Sequence, residues 1–353
     1  MESAGSAKSV TSVRLAKSKG VRIAVEVLGW GAVAAGALGI GLHFSRSDAQ
    51  PLVLAASLAP YLMACALVGA VVFGVARRWT GAGIAVAVLG VAVATQVPLF
   101  AGDPEGEGPE ITVMQANLLF DGADPGVLVE QVRNRNVTLL TVNELTAPAI
   151  EALGRAGLDQ LLPYKYVSPA KTAAGTGIWS AYPLTDTVEY DGYILNQLSA
   201  TATLPGIGPV TVFALHPVPP VYGTDVWADE LSRLRAILDA APADRPVIAG
   251  GDLNATYNHA QYRAMVSGRY ADAAEQAGAG YLRTYPTDKP WPPLVGIDHI
   301  LLSGAHAAAV ETVELPGADH RALVARIQLR PRYSGVSRTR AGVSRSPGRL
   351  SER

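Results

Sequence analysis

The stretch Val247-Ile248-Ala249-Gly250-Gly251-Asp252-Leu253-Asn254 runs from apolar residues through two glycines to an acid and a carboxamide two positions apart. It reads as a strand over Val247 to Ala249 that stops at polar side chains. Two glycines just before the acid let the backbone approach a ligand closely. Asp252 and Asn254 project to the same side if the segment stays extended. Working outward, five other sites repeat the arrangement. Gln115-Ala116-Asn117 ends one apolar run and Val142-Asn143-Glu144 another; His216 follows Val212-Phe213-Ala214-Leu215. Asp298 and His299 sit in Gly296-Ile297-Asp298-His299-Ile300-Leu301-Leu302, and Asp319 with His320 precedes Ala322 to Leu329. Any one of these has an ordinary explanation: a turn-forming Asn or Asp, a hydrogen-bonded structural His, a solvated Glu. Together they place carboxylate, carboxamide or imidazole at six separate strand edges, where side chains are rigid yet open to a cleft.

The surrounding pattern alternates strands and helices. Strands are predicted at Ile111 to Leu119, Val137 to Val142, Gly177 to Ser180, Leu198 to Leu204, Val210 to Leu215, Val247 to Ala249, Ile297 to Leu302 and Ala322 to Leu329. Asp124-Pro125 opens a helix running to about Asn134, and another covers Thr224 to Ala240. This is a mixed α/β or α+β unit over residues 111–329, large enough for a sizeable core.

Upstream the composition changes. Val27 to Ser45, Ala49 to Ala76 and Trp79 to Gly102 contain no Asp, Glu, Lys or Arg, and each is long enough to cross about 30 Å of hydrocarbon. They predict a three-helix membrane anchor over 23–102 after an N-terminal tail, 1–22; a cleaved signal peptide is the alternative for the first. Lys8, Arg14, Lys17, Lys19 and Arg22 precede the first span and Arg77-Arg78 separate the second and third, against Arg46 alone in the other loop. The bias predicts a multi-pass protein of the cell membrane, with a cytoplasmic N-terminus and an extracytoplasmic 103–329. Residues 103–110, rich in charge, Pro and Gly, read as a linker, and the Arg-rich 330–353 as a disordered tail. Residues 103–329 carry 14 basic and 26 acidic side chains, a net −12 that disfavours a polyanionic partner. The single cysteine, Cys65, excludes an intramolecular disulfide and a thiolate metal site, so any metal must be held by oxygen and imidazole. Spans almost free of charge argue against a transporter.

These motifs, in this order, resemble the endonuclease/exonuclease/phosphatase superfamily of DNase I-like phosphoesterases, over residues 111–329. The resemblance implies an α+β fold, a four-layer αββα sandwich, here preceded by three transmembrane helices. It implies that Glu144, with Asn117 nearby, holds Mg²⁺ or Mn²⁺, with Asp319 completing that shell or a second one. It implies His320 as general base or phosphate-contacting imidazole, Asp298 as the carboxylate orienting it, Asp252 and Asn254 as the groups orienting water and phosphoryl oxygen, and His216 as a donor to phosphate or leaving group. Whether His320 or Asp252 takes the proton stays open. Three departures stand out. Asn143 replaces the usual Gln before the metal-binding Glu, Ala318 a Ser before Asp319-His320, and Ala181 the arginine of a Ser-Arg-Tyr-Pro motif, which removes a candidate phosphate contact.

Of Trp179, Trp227 and Trp291, core or rim packing is the ordinary role; Trp291, in Pro290-Trp291-Pro292-Pro293, is the best placed for substrate. The expected substrate is a lipid-headgroup or small-molecule phosphoester at a membrane, with no obligate protein partner. A membrane-tethered nuclease acting on nucleic acid is the first alternative, and a degenerate scaffold the second. Eight retained polar residues argue against the scaffold.

Overall fold

Ile111 and Val113 face one hydrophobic cluster while Met114 and Ala116 face another. A strand buried on both faces needs a packed layer on each side, and this decides the architecture. A computed structural model describes residues 4–329, apart from 105 and 107. Twelve strands form among them: β1 (Glu110–Asn117), β2 (Val137–Asn143), β3 (Tyr164–Ser168), β4 (Thr176–Ser180), β5 (Leu184–Glu189), β6 (Leu198–Leu204), β7 (Gly208–Leu215), β8 (Val247–Asp252), β9 (Ala271–Asp272), β10 (Asp298–Ser303), β11 (Ala305–Glu314) and β12 (Arg321–Leu329). They make two six-stranded sheets, in the orders β11-β12-β1-β2-β4-β3 and β5-β6-β7-β8-β10-β9.

Between the sheets, Val113, Leu139, Ile178 and Leu323 meet Ala200, Val212, Ile248 and Ile300. The helices form the outer layers and the N-terminal bundle. In chain order they are α1 (Ala4–Phe44), α2 (Gln50–Ala56), α3 (Ala59–Val75), α4 (Trp79–Gln96), α5 (Pro98–Ala101), α6 (Pro125–Asn134), α7 (Ala147–Ala156), α8 (Leu158–Leu161), α9 (Thr224–Ala240), α10 (Ala260–Met265) and α11 (Ala273–Gln276). Leu128 and Val132 of α6 and Leu153 of α7 cover Met114, Leu140 and Trp179 outside the first sheet. Trp227, Leu231, Leu234 and Leu238, spaced on one face of α9, cover Phe213, Leu215 and Ala249 outside the second. Burying each such leucine contributes about 1.5–3 kcal/mol, so Leu234→Ala should cost roughly 2–5 kcal/mol. As its sequence predicts, α6 starts at a cap: the Asp124 carboxylate accepts from the amides of Gly126 and Val127, with Pro125 in the first turn. The result is the expected αββα sandwich. Four strands had no clear signal. β5 is an exposed edge, β9 has two residues, β3 is half exposed, and the alanine-rich start of β11 lacks the β-branched residues that mark a strand.

The bundle departs from three simple spans. Lys19–Phe44 and Trp79–Gln96 are each long and apolar enough to cross a membrane, while the middle stretch is broken: α2 and α3 meet at 66°. Pro51 and Pro60, near the helix starts, explain the break at Ser57-Leu58. The described residues therefore hold two candidate spans, or three when the bent pair counts as one. The first lies in a helix continuous from Ala4 to Phe44, and the last stops at Gln96 rather than Gly102 because Pro98 opens the short α5. Small residues bring α1 and α3 together; a Cβ on Gly36 would lie 2.8 Å from that of Ala66. Arg78 pairs with Glu26 at 2.6 Å at the end of the bundle away from the sandwich.

The other end packs on the sandwich. His43 Nδ1 lies 2.9 Å from Asn258 Oδ1, the Tyr61 hydroxyl donates to Leu294 O at 2.7 Å, and the Tyr257 hydroxyl donates to Thr95 O at 3.1 Å. Val53 joins the core cluster of Trp227. In the 103–110 segment the Asp103 amide donates to Gln276 O, so the linker is anchored at its start. The Arg-rich tail expected over 330–353 lies outside the described residues.

Candidate active site

Strand pairing gathers the polar strand ends at one edge of the sandwich. β1 and β2 run parallel with Asn117 opposite Asn143, which puts Glu144 one residue beyond the sheet. In the other sheet Asp252 and Asp298 are direct antiparallel partners. His216 leaves β7, which is parallel to β8, and Asp319-His320 enter β12 beside β1. Asn117 Nδ2 donates to Glu144 Oε1 at 3.1 Å and to Asp252 Oδ2 at 3.2 Å, bridging the sheets. His320 Nδ1 and Asp298 Oδ2 are 2.8 Å apart, while His320 Nε2 points toward Asp252 Oδ2 at 3.6 Å and Asp319 Oδ1 at 4.0 Å. His216 Nε2 lies 3.7 Å from Asp252 Oδ2. Asn254 is tied in through its amide, which donates to Asp252 Oδ1 at 2.9 Å, and its Nδ2, which donates to Pro217 O. All eight residues singled out in the sequence are thus brought together.

Behind them lies a supporting layer of which the sequence singled out Asn143 alone. Gln115 Nε2 donates to Asp298 Oδ1 at 3.2 Å and to Asn143 Oδ1 at 2.9 Å. Asn143 Oδ1 also accepts from the Asp252 amide, so the carboxamide in place of the usual Gln ties the two sheets at the site. Thr284 Oγ1 accepts from the amides of Ile297 and Asp298, and the Tyr285 ring lies 4.8 Å from that of His320. Period-two spacing from Asn117 back to Gln115 was the available signal for one of these; Thr284 and Tyr285 sit in an irregular segment and had none.

Burial opposes charge throughout the site, and neighbouring groups decide which charges survive. Burial works against protonation of His320, but Asp298 and Asp252 outweigh it and raise the imidazole to about 10. Burial raises the Asp252 carboxyl to about 7, with His320 opposing and Asp298 adding to the rise. Asp298 is held below its ordinary value: burial would raise it, but His320 prevails. Burial lowers His216 to about 3, so it is neutral. Glu144 and Asp319 are both raised, first by burial, and Asp319 adds to the rise at Glu144.

Two nearby carboxylates whose charged forms burial disfavours suit a divalent cation that would offset their charge. Asp319 Oδ1 is buried without a hydrogen-bond partner, and Asn117 adds a carboxamide. This oxygen-rich set fits a hard ion such as Mg²⁺ or Mn²⁺. Asp252, Asp298 and His320 also cluster, with ligand atoms all within 4.8 Å. Because Asp298 Oδ2 and His320 Nδ1 already bond each other, that group is better read as a hydrogen-bonded relay than as a ligand shell.

Three sequence expectations need correction. The glycines of Gly250-Gly251 serve packing rather than ligand approach: a Cβ on Gly250 would sit 2.2 Å from Thr141 Oγ1 of the facing sheet, and one on Gly251 2.0 Å from Leu215 O of the next strand. The segment after Asp252 is not extended, since Asn254 takes φ 49°. Glu144 likewise has φ 54°, a conformation costly for a non-glycine and held here by the surrounding site. Most important, Ala181 is far from the site. β4 is antiparallel to β2, so Thr176 pairs with Asn143 at the site edge, whereas the Ala181 amide donates to Thr138 O at the opposite edge. Thr138 and Asn143 are five steps apart along the strand, roughly 17 Å. The tryptophans divide as packing predicts: Trp179 and Trp227 are core, and Trp291 is 50% exposed.

Known proteins agree with this architecture. Solved structures that resemble the chain include a humanized TDP2 of D. rerio, with TM-score 0.53 and 16% identity over 62% of this chain and 99% of that one. An endonuclease/exonuclease/phosphatase from Bacteroides vulgatus matches with TM-score 0.51 and 14% identity, over 63% and 99% of the two chains. A functionally unknown conserved protein from Enterococcus faecalis V583 matches equally, with TM-score 0.51 and 14% identity over 62% and 99%. Such identities establish the shared fold. No curated protein matches. The family model described as Endonuclease/Exonuclease/phosphatase family matches residues 114–334, which include every residue of the cluster, and the chain belongs to that family.

Proposed function

We propose that this chain is a divalent-metal-dependent phosphoesterase held at a membrane, hydrolysing a lipid-headgroup or small-molecule phosphoester. The observation that carries the reading is the convergence of Asn117, Glu144, Asp319, Asp252, Asp298 and His320 on one edge of the sandwich, with Asp319 Oδ1 left without a partner. Glu144, Asp319 and Asn117 would hold Mg²⁺ or Mn²⁺, which when bound offsets charge on the nonbridging phosphoryl oxygens. Asp252 takes the proton of the attacking water as the new P–O bond forms, and the ester oxygen leaves on the opposite side. His320, charged because Asp298 holds Nδ1, presents Nε2–H to the phosphoryl group. Asn254 orients the water, and neutral His216 donates to phosphate or leaving group.

Loops from the site edge support a membrane-proximal substrate. Tyr257, three residues past Asn254, reaches α4; Pro220 O and Val221 O, on the loop after His216, face Gln50 Nε2 of α2; Leu294, before Asp298, meets Tyr61 of α3. Tyr222 and Trp291 are exposed on these loops, the residue types that favour a bilayer interface. The Lys/Arg bias of the sequence puts this end of the bundle outside the cytoplasm; an alkaline phosphatase fused after Gly102 should be active, and a fusion working only as a cytoplasmic reporter would reverse the topology.

The test is the full chain in detergent with Mg²⁺ or Mn²⁺, assayed on bis(p-nitrophenyl) phosphate, p-nitrophenyl phosphate, phospholipid vesicles and plasmid DNA. Hydrolysis of the first three, lost in excess EDTA, is expected. Efficient plasmid nicking at low salt with no turnover of the others would establish the nuclease instead, and full activity in EDTA would overturn the metal assignment.

A further inference from the structure

At the seam between the bundle and the sandwich lies a cavity of about 730 Å³, within the roughly 300–1,000 Å³ range of ligand sites. Its bundle wall includes Ala64 and Leu67 of α3 and Val93 of α4; its sandwich wall includes Tyr257, Tyr281 and Leu282. Leu67 is 53% and Val93 54% exposed, on helices whose apolar surfaces match hydrocarbon. An apolar cavity of this size is a poor place for water, which needs polar partners. Acyl chains are the medium that meets its bundle side.

One cation marks the other end. Arg283 also lines the cavity, with its guanidinium over the Tyr61 ring, 5.5 Å from the centroid. Among the described residues it has no ion pair or hydrogen bond, and Tyr61 is itself fixed by Leu294 O. A guanidinium held on an aromatic face with its donors free suits phosphate. The acids on the wall compete little for it. Asp272 is paired with His299 and Asp298 with His320, and burial pushes the Glu275 carboxyl up to about 7. Arg283 is followed by Thr284, which bonds the Asp298 amide, and by Tyr285, which packs on His320.

We infer that this seam binds one acyl chain of a membrane phospholipid, with the lipid phosphate held by Arg283. The site rests on the membrane-anchored reading above and extends it: the bundle and the sandwich together build a lipid site that neither has alone. The lipid bound there places its phosphate one residue away from the segment that supports the catalytic edge.

The experiment uses the full chain in phosphatidylglycerol vesicles doped with a phosphatidylglycerol carrying a diazirine at the end of one acyl chain. After illumination, adducts are mapped by peptide mass spectrometry. Labelling of Tyr257, Tyr281 or Leu282 is expected, since these belong to the sandwich and only a chain inside the seam reaches them. Ala64→Trp, which fills the cavity from an exposed helix position, should abolish that labelling while turnover of bis(p-nitrophenyl) phosphate is unchanged. Arg283→Ala should weaken it about tenfold, the scale of a lost charged hydrogen bond, and Arg283→Lys should restore part of it. A diazirine-bearing alcohol of the same chain length, lacking phosphate, should be indifferent to residue 283. Adducts confined to outward-facing positions such as Leu38 and Val71, or sandwich labelling that survives Ala64→Trp, would overturn the inference. The two readings fail separately: seam labelling without phosphoester turnover sinks the enzyme, and turnover without seam labelling sinks the lipid site.

Discussion

Two Asp–His pairs stand side by side in this fold and do different work. Asp298 and His299 are sequence neighbours on β10, so their side chains leave opposite faces of the sheet. Asp298 turns inward and meets His320 Nδ1 at 2.8 Å; His299 turns outward, where its Nδ1 meets Asp272 Oδ2 at 2.7 Å. The bond lengths are alike and the surroundings are not. His320 Nε2 is left facing Asp252 across 3.6 Å, among carboxylates at the open edge. His299 Nε2 is bonded to Ala255 O, and the hydroxyl of Tyr262 closes the pair from the far side, bonding both Asp272 and His299. A pair with one donor unspent can meet a substrate, whereas a pair with every polar atom matched holds the sheet to its helices.

The largest effects belong to the catalytic pair. Glu144→Gln should abolish phosphoester turnover, because the substitution keeps size and removes the charge that would hold the cation. Its unfolding should stay close to wild type, and a variant that remains active would move the metal elsewhere. His320→Ala should lower turnover by about 10²–10³-fold, the range for a lost donor that stabilises charge on the reacting group. A mild effect would leave Asp252 as the group that matters and His320 as support.

At the sealed pair the loss should appear as stability. Asp272→Asn leaves His299 buried without its carboxylate and should cost about 3–5 kcal/mol in denaturant unfolding of the full chain in detergent. The pH dependence follows from the two shifts. Burial would lower His299, but the hydrogen bond and charge of Asp272 raise it, so its contribution is full below the ordinary value of 6.5 and fades as pH rises through the folded value. Burial would raise Asp272, but His299 holds it below 3.8; its contribution is present above that value and lost as pH falls through the lower folded one. The gap between wild type and Asp272→Asn should therefore be widest near the ordinary histidine value of 6.5 and narrow as pH rises through the higher folded value of His299. A constant gap would mean that the pair is neutral.

Much of this could be read from the chain because strand ends leave a local signature. Asn117, Glu144, His216, Asp252, Asp298 and His320 each follow or begin an apolar run, and their order carried the family. Period two even separates Asp298 from His299, although their chemical types do not. What stayed hidden depends on contacts between distant residues. Asp272 and Tyr262 join His299 only after α10 and β9 pack on β10, and Asn143 ties the sheets because Asp252 arrives from the other layer. The seam between bundle and sandwich was equally invisible, since an apolar span reads the same whether lipid or protein covers its end.

Ala181 sharpens the comparison from the other edge, where the expected effect is smallest. Its sequence context suggested a missing phosphate contact, but strand direction puts it beside Thr138, half-buried against the helical layer, with four residues of β2 between Thr138 and Asn143. An arginine there could not reach a phosphoryl group held by His320, and its long stem would find room only by extending into solvent from the far edge. Ala181→Arg should therefore leave KM and kcat for bis(p-nitrophenyl) phosphate unchanged, and binding of a longer phosphodiester no tighter at low salt, where a new cation has its greatest effect. A fall in KM would mean that the substrate spans the whole length of the sheet, and would put the nuclease reading ahead of the lipid and small-molecule one.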